Sequence, residues 1–117
     1  MKAITDGQFT VTGPMATGTT VRMGRTAVLD TGKMQIVVSE QRAEPYDLGV
    51  FTHCGIDPRR KKYVLIKSRQ HFRAGFDERF SPDRIVEVDV PGLTTPVLAK
   101  AGLVNVPRPI FPLDAEV

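Results

Sequence analysis

Tyr63-Val64-Leu65-Ile66-Lys67-Ser68-Arg69-Gln70-His71-Phe72 is the stretch whose reading decides the fold. Tyr63 to Ile66 is continuously apolar and β-prone, which predicts a strand covered on both faces, as in a parallel sheet. Ser68 then predicts the start of a helix, because a hydroxyl at that position accepts from an N–H of the first turn. Phe72, Phe76 and Phe80 recur every fourth residue and mark that helix's buried stripe as far as about Phe80. Ser81-Pro82-Asp83 breaks it. Arg84 to Val90 predicts a further strand, ended by Pro91-Gly92. Upstream, Asp47 predicts the N-cap of an earlier helix carrying Leu48, Val50 and Phe51, with Gly55 able to close it. Strand, helix, strand, helix, strand with short connections predicts right-handed βαβ crossovers.

Residues 1 to about 40 read as extended chain. Gln8 to Thr12 alternates and is closed by Gly13-Pro14. Thr19 to Asp30 predicts one longer strand, and Lys33 to Ser39 returns with Met34, Ile36 and Val38 on one face. Asp30-Thr31-Gly32 between them is a compact turn, with Gly32 able to take the left-handed conformation. The tail carries Pro96, Pro107, Pro109 and Pro112, and Pro107 to Pro112 cannot be helical. The expected fold class is therefore α/β or α+β. An N-terminal antiparallel hairpin or meander precedes βαβαβ units in a mixed sheet, over residues 1–95. Residues 96–117 form an extended proline-rich C-terminal arm, packed through Ile110, Phe111 and Leu113.

A chain of 117 residues with 41% hydrophobic and 25% charged residues holds one domain's worth of ordinary globular protein. Sixteen basic against thirteen acidic side chains leave +3, a mildly basic balance. The only dense basic run is Arg59-Arg60-Lys61-Lys62, read as a solvated turn before the buried strand. No recognised nucleic-acid module accompanies it, so nucleic acid is not expected as a partner. No stretch has the apolar length of a membrane span, and the first nine residues lack a signal peptide's apolar core. One cysteine, Cys54, cannot form an internal disulfide, which points to a reducing cytoplasm.

The segment with the most chemistry is Lys67-Ser68-Arg69-Gln70-His71-Phe72. At the carboxyl end of a central strand, N–H groups and a helix dipole converge on negative charge. Lys67 adds a cation, Ser68 a hydroxyl and His71 an imidazole. Against this, Ser68 reads equally as a plain cap, Lys67 as a strand-end surface residue and His71 as a polar neighbour of the phenylalanine stripe. His53 and Cys54 are adjacent and point different ways; with no HExxH and no second cysteine there is no zinc signature and no metal ligand to name. Cys54 reads as a small buried hydrophobe and His53 as a partly exposed helix-end residue. No spacing marks an acid/base pair of carboxylates.

An ordered series of short motifs carries further information. Ile4-Thr5-Asp6-Gly7, Gly13-Pro14-Met15, Gly24-Arg25-Thr26-Ala27-Val28-Leu29, Ile36-Val37-Val38-Ser39, Gly55-Ile56-Asp57-Pro58, the Lys-Ser-x-x-His-Phe of 67–72, and Pro109-Ile110-Phe111-Pro112-Leu113-Asp114 occur in this order. Together they resemble the last section of the MlrC-type (microcystinase C-like) metallopeptidases, a family named for a member that degrades linearised microcystin peptides. The resemblance implies a zinc-dependent peptide or amide hydrolase, in which metal activates water and polarises the carbonyl. It also implies a large N-terminal domain holding the metal, which this sequence lacks, along with an expected Asn-Pro-Gly-Gly-Gly and Gly-Asp region.

The expectation is thus a C-terminal segment of an MlrC-like hydrolase, inactive alone, with no cofactor bound by this chain and zinc belonging to the full-length protein. Lys67 and Ser68 are the expected substrate-binding residues and His71 the expected catalytic one, facing a cleft shared with the missing domain or subunit. The alternative is a non-catalytic assembly module that self-associates as a homo-oligomer or docks on a partner subunit through surface left uncovered.

Overall fold

A computed structural model describes residues 2–77, 80–90 and 97–114. The chain divides into two compact units, Met1–Ile85 and Val86–Val117. In the first, five strands form in succession: β1 (Ala3–Thr5), β2 (Gln8–Thr10), β3 (Thr20–Arg22), β4 (Thr26–Asp30) and β5 (Gln35–Ser39). They are shared between two antiparallel sheets, one ordered β1-β4-β5 and the other β2-β3. Two one-turn helices follow, α1 (Gly49–Thr52) and α2 (Arg73–Phe76), with 3₁₀ turns at Pro58–Arg60 and Pro82–Arg84. The fold class is the mixed one that the sequence predicts, in its α+β form.

The strand expected over Thr19 to Asp30 is two strands. β2 pairs with β3 with Phe9 opposite Val21, while β1 pairs with β4 with Ile4 opposite Ala27. Both arms of this long hairpin therefore change sheets at the same level, at Gly7 on one arm and Gly24 on the other. Both glycines have positive φ, 67° and 66°, a region that costs other residues steric strain. Space adds a second constraint: a Cβ on Gly7 would come within 2.0 Å of the Gly24 carbonyl oxygen. The Met23 amide donates to Gly7 O at 2.9 Å, which ties the crossing together. Arg25 secures it from outside, its amide and guanidinium both held by the Glu40 carboxylate at 2.7–2.9 Å.

β4 and β5 are joined over Thr31 to Met34, with the Thr31 amide donating to Met34 O. Val28 and Thr26 are buried on one face of the three-stranded sheet, whereas Ile4, Leu29, Ile36 and Val38 are exposed on the other. The main core lies elsewhere. Met23, Val50, Phe72 and Phe76 cluster, and Phe9, Val21, Leu48, Phe51, Val64, Ile66, Phe80 and Ile85 pack around them. The predicted phenylalanine stripe is in place: Phe76 meets Phe51 edge-on at 6.4 Å and stacks on Phe80 at 5.8 Å.

Three local expectations need correction. The chain at Tyr63–Ile66 forms no strand. Its residues alternate instead, Val64 and Ile66 packing on the core while Tyr63 and Leu65 are 83% and 91% exposed. A run that is apolar on both faces needs cover on both faces, and unit one covers only one. Arg84 to Val90 is likewise not in a strand; it closes a 3₁₀ turn and continues with Val86, Val88 and Val90 exposed. The helix after Ser68 is regular only from Arg73, because Gln70, His71 and Phe72 first form tighter turns, their carbonyl oxygens accepting the amides of Arg73, Ala74 and Gly75, three residues ahead, at 3.0–3.2 Å. Every strand pairing among the described residues is antiparallel. Residues 78–79 at the end of the predicted helix, Pro91-Gly92 and Pro96 lie outside the described residues.

In the second unit, Leu98–Lys100 is a 3₁₀ turn whose Lys100 pairs with Asp89. Pro109-Ile110-Phe111-Pro112-Leu113-Asp114 is organised by Asp114. Its carboxylate accepts the Ile110 amide and the Arg108 Nε, each at 2.6 Å, while the Leu113 and Asp114 amides return to Ile110 O.

The β4–β5 turn yields a prediction in acid. The side-chain amide of Gln35 donates to Asp30 at 2.8 Å, as does the Gly32 amide, and Lys2 lies 3.2 Å away. In that order these hold the Asp30 carboxyl down from 3.8 to about 2. A depressed carboxyl stabilises the fold above its unfolded pKa and ceases to do so as pH falls through the folded value. Denaturation midpoints should therefore fall between about pH 4 and pH 2 in the native protein, and Asp30→Asn should flatten that limb. An unchanged acid limb in the variant would remove Asp30 from the account.

Candidate functional site

The segments 44–48 and 68–75 bring Ser68 and His71 beside Glu44 at the surface of the first unit. The first begins with Glu44 and Pro45, and proline keeps the residue before it out of the helical region. Glu44 is thereby presented at the surface, where Ser68 donates its hydroxyl proton to Glu44 Oε1. The same Ser68 oxygen accepts the Phe72 amide at 3.3 Å, but Ser68 is not the expected cap: the N-cap position of α2 is Phe72 and no side chain caps it. His71 Nδ1 lies 3.9 Å from Glu44 Oε1, beyond hydrogen-bond reach and an ion pair when the imidazole is protonated. The His71 side chain is 61% exposed. It is not buried among the phenylalanines. Lys67 is exposed just ahead of Ser68. The structure thus brings Ser68 and His71 together, through a carboxylate, Glu44, that no sequence pattern singles out.

Three residues on, the same segment meets Asp47. This carboxylate is 2% exposed. Its Oδ2 accepts the Thr12 amide at 3.1 Å and the Gly13 amide at 2.7 Å, and its Oδ1 accepts the Gly49 amide at 2.6 Å. Asp47 thus stands one residue ahead of the N-cap position of α1, which is Leu48 rather than Asp47 as predicted, and its bond to the Gly49 amide steadies the turn into that helix; it also anchors the end of β2's strand extension, which nothing local reveals. Gly13 and Gly75 flank it. A Cβ on Gly75 would approach Tyr46 O to 2.5 Å and Asp47 Cα to 2.8 Å. A shallow cleft of about 280 Å³ lies here, lined by Thr12, Gly13, Asp47, Ala74 and Gly75. Ligand pockets run to roughly 300–1,000 Å³ and are mostly apolar, so this small cleft with its carboxylate already satisfied is a seam between segments. His71 is not in its lining.

His53 and Cys54 close α1. His53 Nδ1 lies 2.7 Å from Gly49 O and its ring stacks on Phe9 at 5.7 Å. That contact makes Nδ1 the protonated nitrogen and leaves Nε2 buried without a partner among the described residues. Burial pushes the Cys54 thiol up from its ordinary value, the reverse of what a nucleophile needs. The helix ends in the glycine-terminated pattern expected of Gly55, with φ of 76° and the Ile56 amide returning to Phe51 O. Asp57 then caps the next turn, accepting from the Arg59 amide and guanidinium at 2.8–3.1 Å. Those bonds from Arg59 hold the Asp57 carboxyl below the usual carboxylate range. The basic run is locally occupied: Arg59 by Asp57, Lys61 by Gln35 at 2.7 Å, and Lys62 by the Tyr63 ring at 5.4 Å.

Among the described residues, no three His, Cys, Asp or Glu side chains gather where they could hold a metal ion. These residues do not fit the zinc that the resemblance implies. No helix is long and apolar enough to cross a membrane among the described residues.

Two antiparallel sheets followed by short helices, with Ser68, His71 and Glu44 gathered at the surface of the first unit, define its class as α+β. The family described as "MlrC C-terminus" matches residues 1–105, and the chain belongs to that family. It is similar to Microcystinase C from Sphingomonas sp, with 36% identity over 56 residues. That match covers 48% of this chain and 11% of the relative's length. No solved structure matches.

The Asp47 carboxylate gives a direct test. Asp47→Ala leaves three backbone donors without their acceptor, each costing about 1–3 kcal/mol. A total loss of about 3 kcal/mol or more is expected in urea denaturation. Gly75→Ala, which forces a methyl against the Tyr46–Asp47 backbone, should cost about 1–3 kcal/mol. Variants within about 0.5 kcal/mol of the parent would show that the seam is not a constraint.

Proposed function

We propose that this chain is the C-terminal section of an MlrC-like, zinc-dependent peptide or amide hydrolase, and that it has no turnover alone. The observation that supports this most is the family match, which runs across residues 1–105 and is itself described as a C-terminus. In this reading, sequence outside these 117 residues holds the metal. The present chain supplies substrate contacts from its exposed 67–71 segment. His71 donates an N–H to the amide carbonyl oxygen as negative charge develops there, with Glu44 and Ser68 positioning the ring. Lys67 adds a cation for a substrate carboxylate. The substrate class in this reading is a linear peptide, as the resemblance to the MlrC-type family implies.

A second reading, a non-catalytic assembly module, draws on the exposed Tyr63, Leu65 and Phe111. Sedimentation separates the two: a monomer at high concentration counts against self-association.

The test mixes this chain with a polypeptide carrying the rest of an MlrC-type protein, followed by metal analysis and a peptide-amide hydrolysis assay. No hydrolysis is expected from the chain alone, and metal-dependent turnover from the mixture. Activity in the chain alone would overturn the proposal. In the active mixture, His71→Ala should lower kcat about 100-fold, the order seen when one oxyanion donor is lost, with little change in thermal unfolding. Unchanged kinetics would remove His71 from the site.

A further inference from the structure

The segment Tyr63–Ile66 has the burial pattern of a strand and no strand beside it. Val64 and Ile66 pack on the core, while Tyr63 and Leu65 point to solvent. Alternation with period two is that of extended backbone. No backbone–backbone hydrogen bond engages residues 63–66 among the described residues. A single exposed leucine needs no explanation, but an aromatic and a leucine two residues apart on a bare strand edge form a continuous apolar strip. Extended chain with unpaired N–H and C=O groups is a template for strand addition.

We infer that Tyr63–Ile66 accepts a β-strand from the part of an MlrC-type polypeptide lying outside residues 1–117. This inference rests on the reading that the chain is one section of a larger hydrolase. Two observations select that occupant. The match to Microcystinase C covers only 11% of that protein, so most of such a polypeptide lies beyond what is present here. The charges argue against a second copy of this chain. The segment is preceded by Arg59-Arg60-Lys61-Lys62 and followed by Lys67 and Arg69. Two copies paired antiparallel about Val64 and Leu65 would set Lys62 of each opposite Lys67 of the other, and Arg60 opposite Arg69. Like charges directly opposite destabilise a strand pair. The complementary strand is apolar where it faces Tyr63 and Leu65, and carries Asp or Glu where its end meets Lys62.

Strand addition makes backbone hydrogen bonds, so amide hydrogen exchange reads it directly. The probe is Sphingomonas Microcystinase C lacking its whole section equivalent to residues 1–105, used once circular dichroism shows that it is folded. Residues 64–66 should exchange fast in the chain alone and slow by at least about tenfold when the probe is added. Leu65→Lys, a change at an exposed position, should abolish the protection, and Lys62→Glu should weaken it. Complex formation with 64–66 still fast would overturn this inference and leave the larger-hydrolase reading standing. Absence of any complex would overturn both. Protection that grows with the concentration of the chain alone would identify a second copy as the occupant and overturn the inference.

Discussion

Asp47 fixes how the first unit is assembled. A buried carboxylate is costly unless its oxygens are met by donors, and here the donors come from two separate stretches of backbone. The Thr12 and Gly13 amides leave the end of the two-stranded sheet, and the Gly49 amide opens the helix that covers it. One side chain thus joins sheet to helix at the edge of the main core, and Phe72 and Phe76 pack into the space it defines. The small residues around it follow from the same constraint. Gly75 is glycine because the helix carrying Phe76 must press against the Tyr46–Asp47 backbone.

Electrostatics elsewhere in the molecule are local. Glu40 holds Arg25, Asp57 holds Arg59 and Asp114 holds Arg108, each at an exposed turn. Exposed pairs of this kind contribute little to net stability. Their value is geometric: each fixes a bend of the backbone. Gly24-Arg25, Gly55 to Pro58 and Pro109 to Asp114 are therefore turn devices more than reacting groups.

Local signals in the sequence were reliable where the deciding interaction was local. The β4–β5 hairpin was legible from Asp30-Thr31-Gly32 and the alternation at Met34, Ile36 and Val38. The helix closed by Gly55 and the phenylalanine stripe at 72, 76 and 80 were legible for the same reason. Non-local pairings were not. Nothing in Thr19 to Asp30 announces that Gly24 divides it between two sheets, because the reason is Gly7, seventeen residues earlier. Tyr63 to Ile66 reads as a doubly covered strand because its composition is that of one; among the described residues only one of its faces is covered. Of the site, Ser68 and His71 were legible as a pair on one turn. Glu44, which joins them, lies 24 residues before Ser68 and follows no spacing rule.

The facing glycines at 7 and 24 also decide where this chain tolerates change in length. Each arm of the hairpin serves two sheets, so the crossing works as a fixed splice. One residue inserted on either side of it would rotate the strand beyond by half a repeat, exposing Val28 or Met23 and burying what now meets water. Beyond Gly13, which Asp47 holds, the loop as far as Gly18 feels no such restriction, since it joins two neighbouring strands of one ladder. Drift in length within this part of the protein is therefore channelled to that loop, and the splice keeps a constant count on both arms.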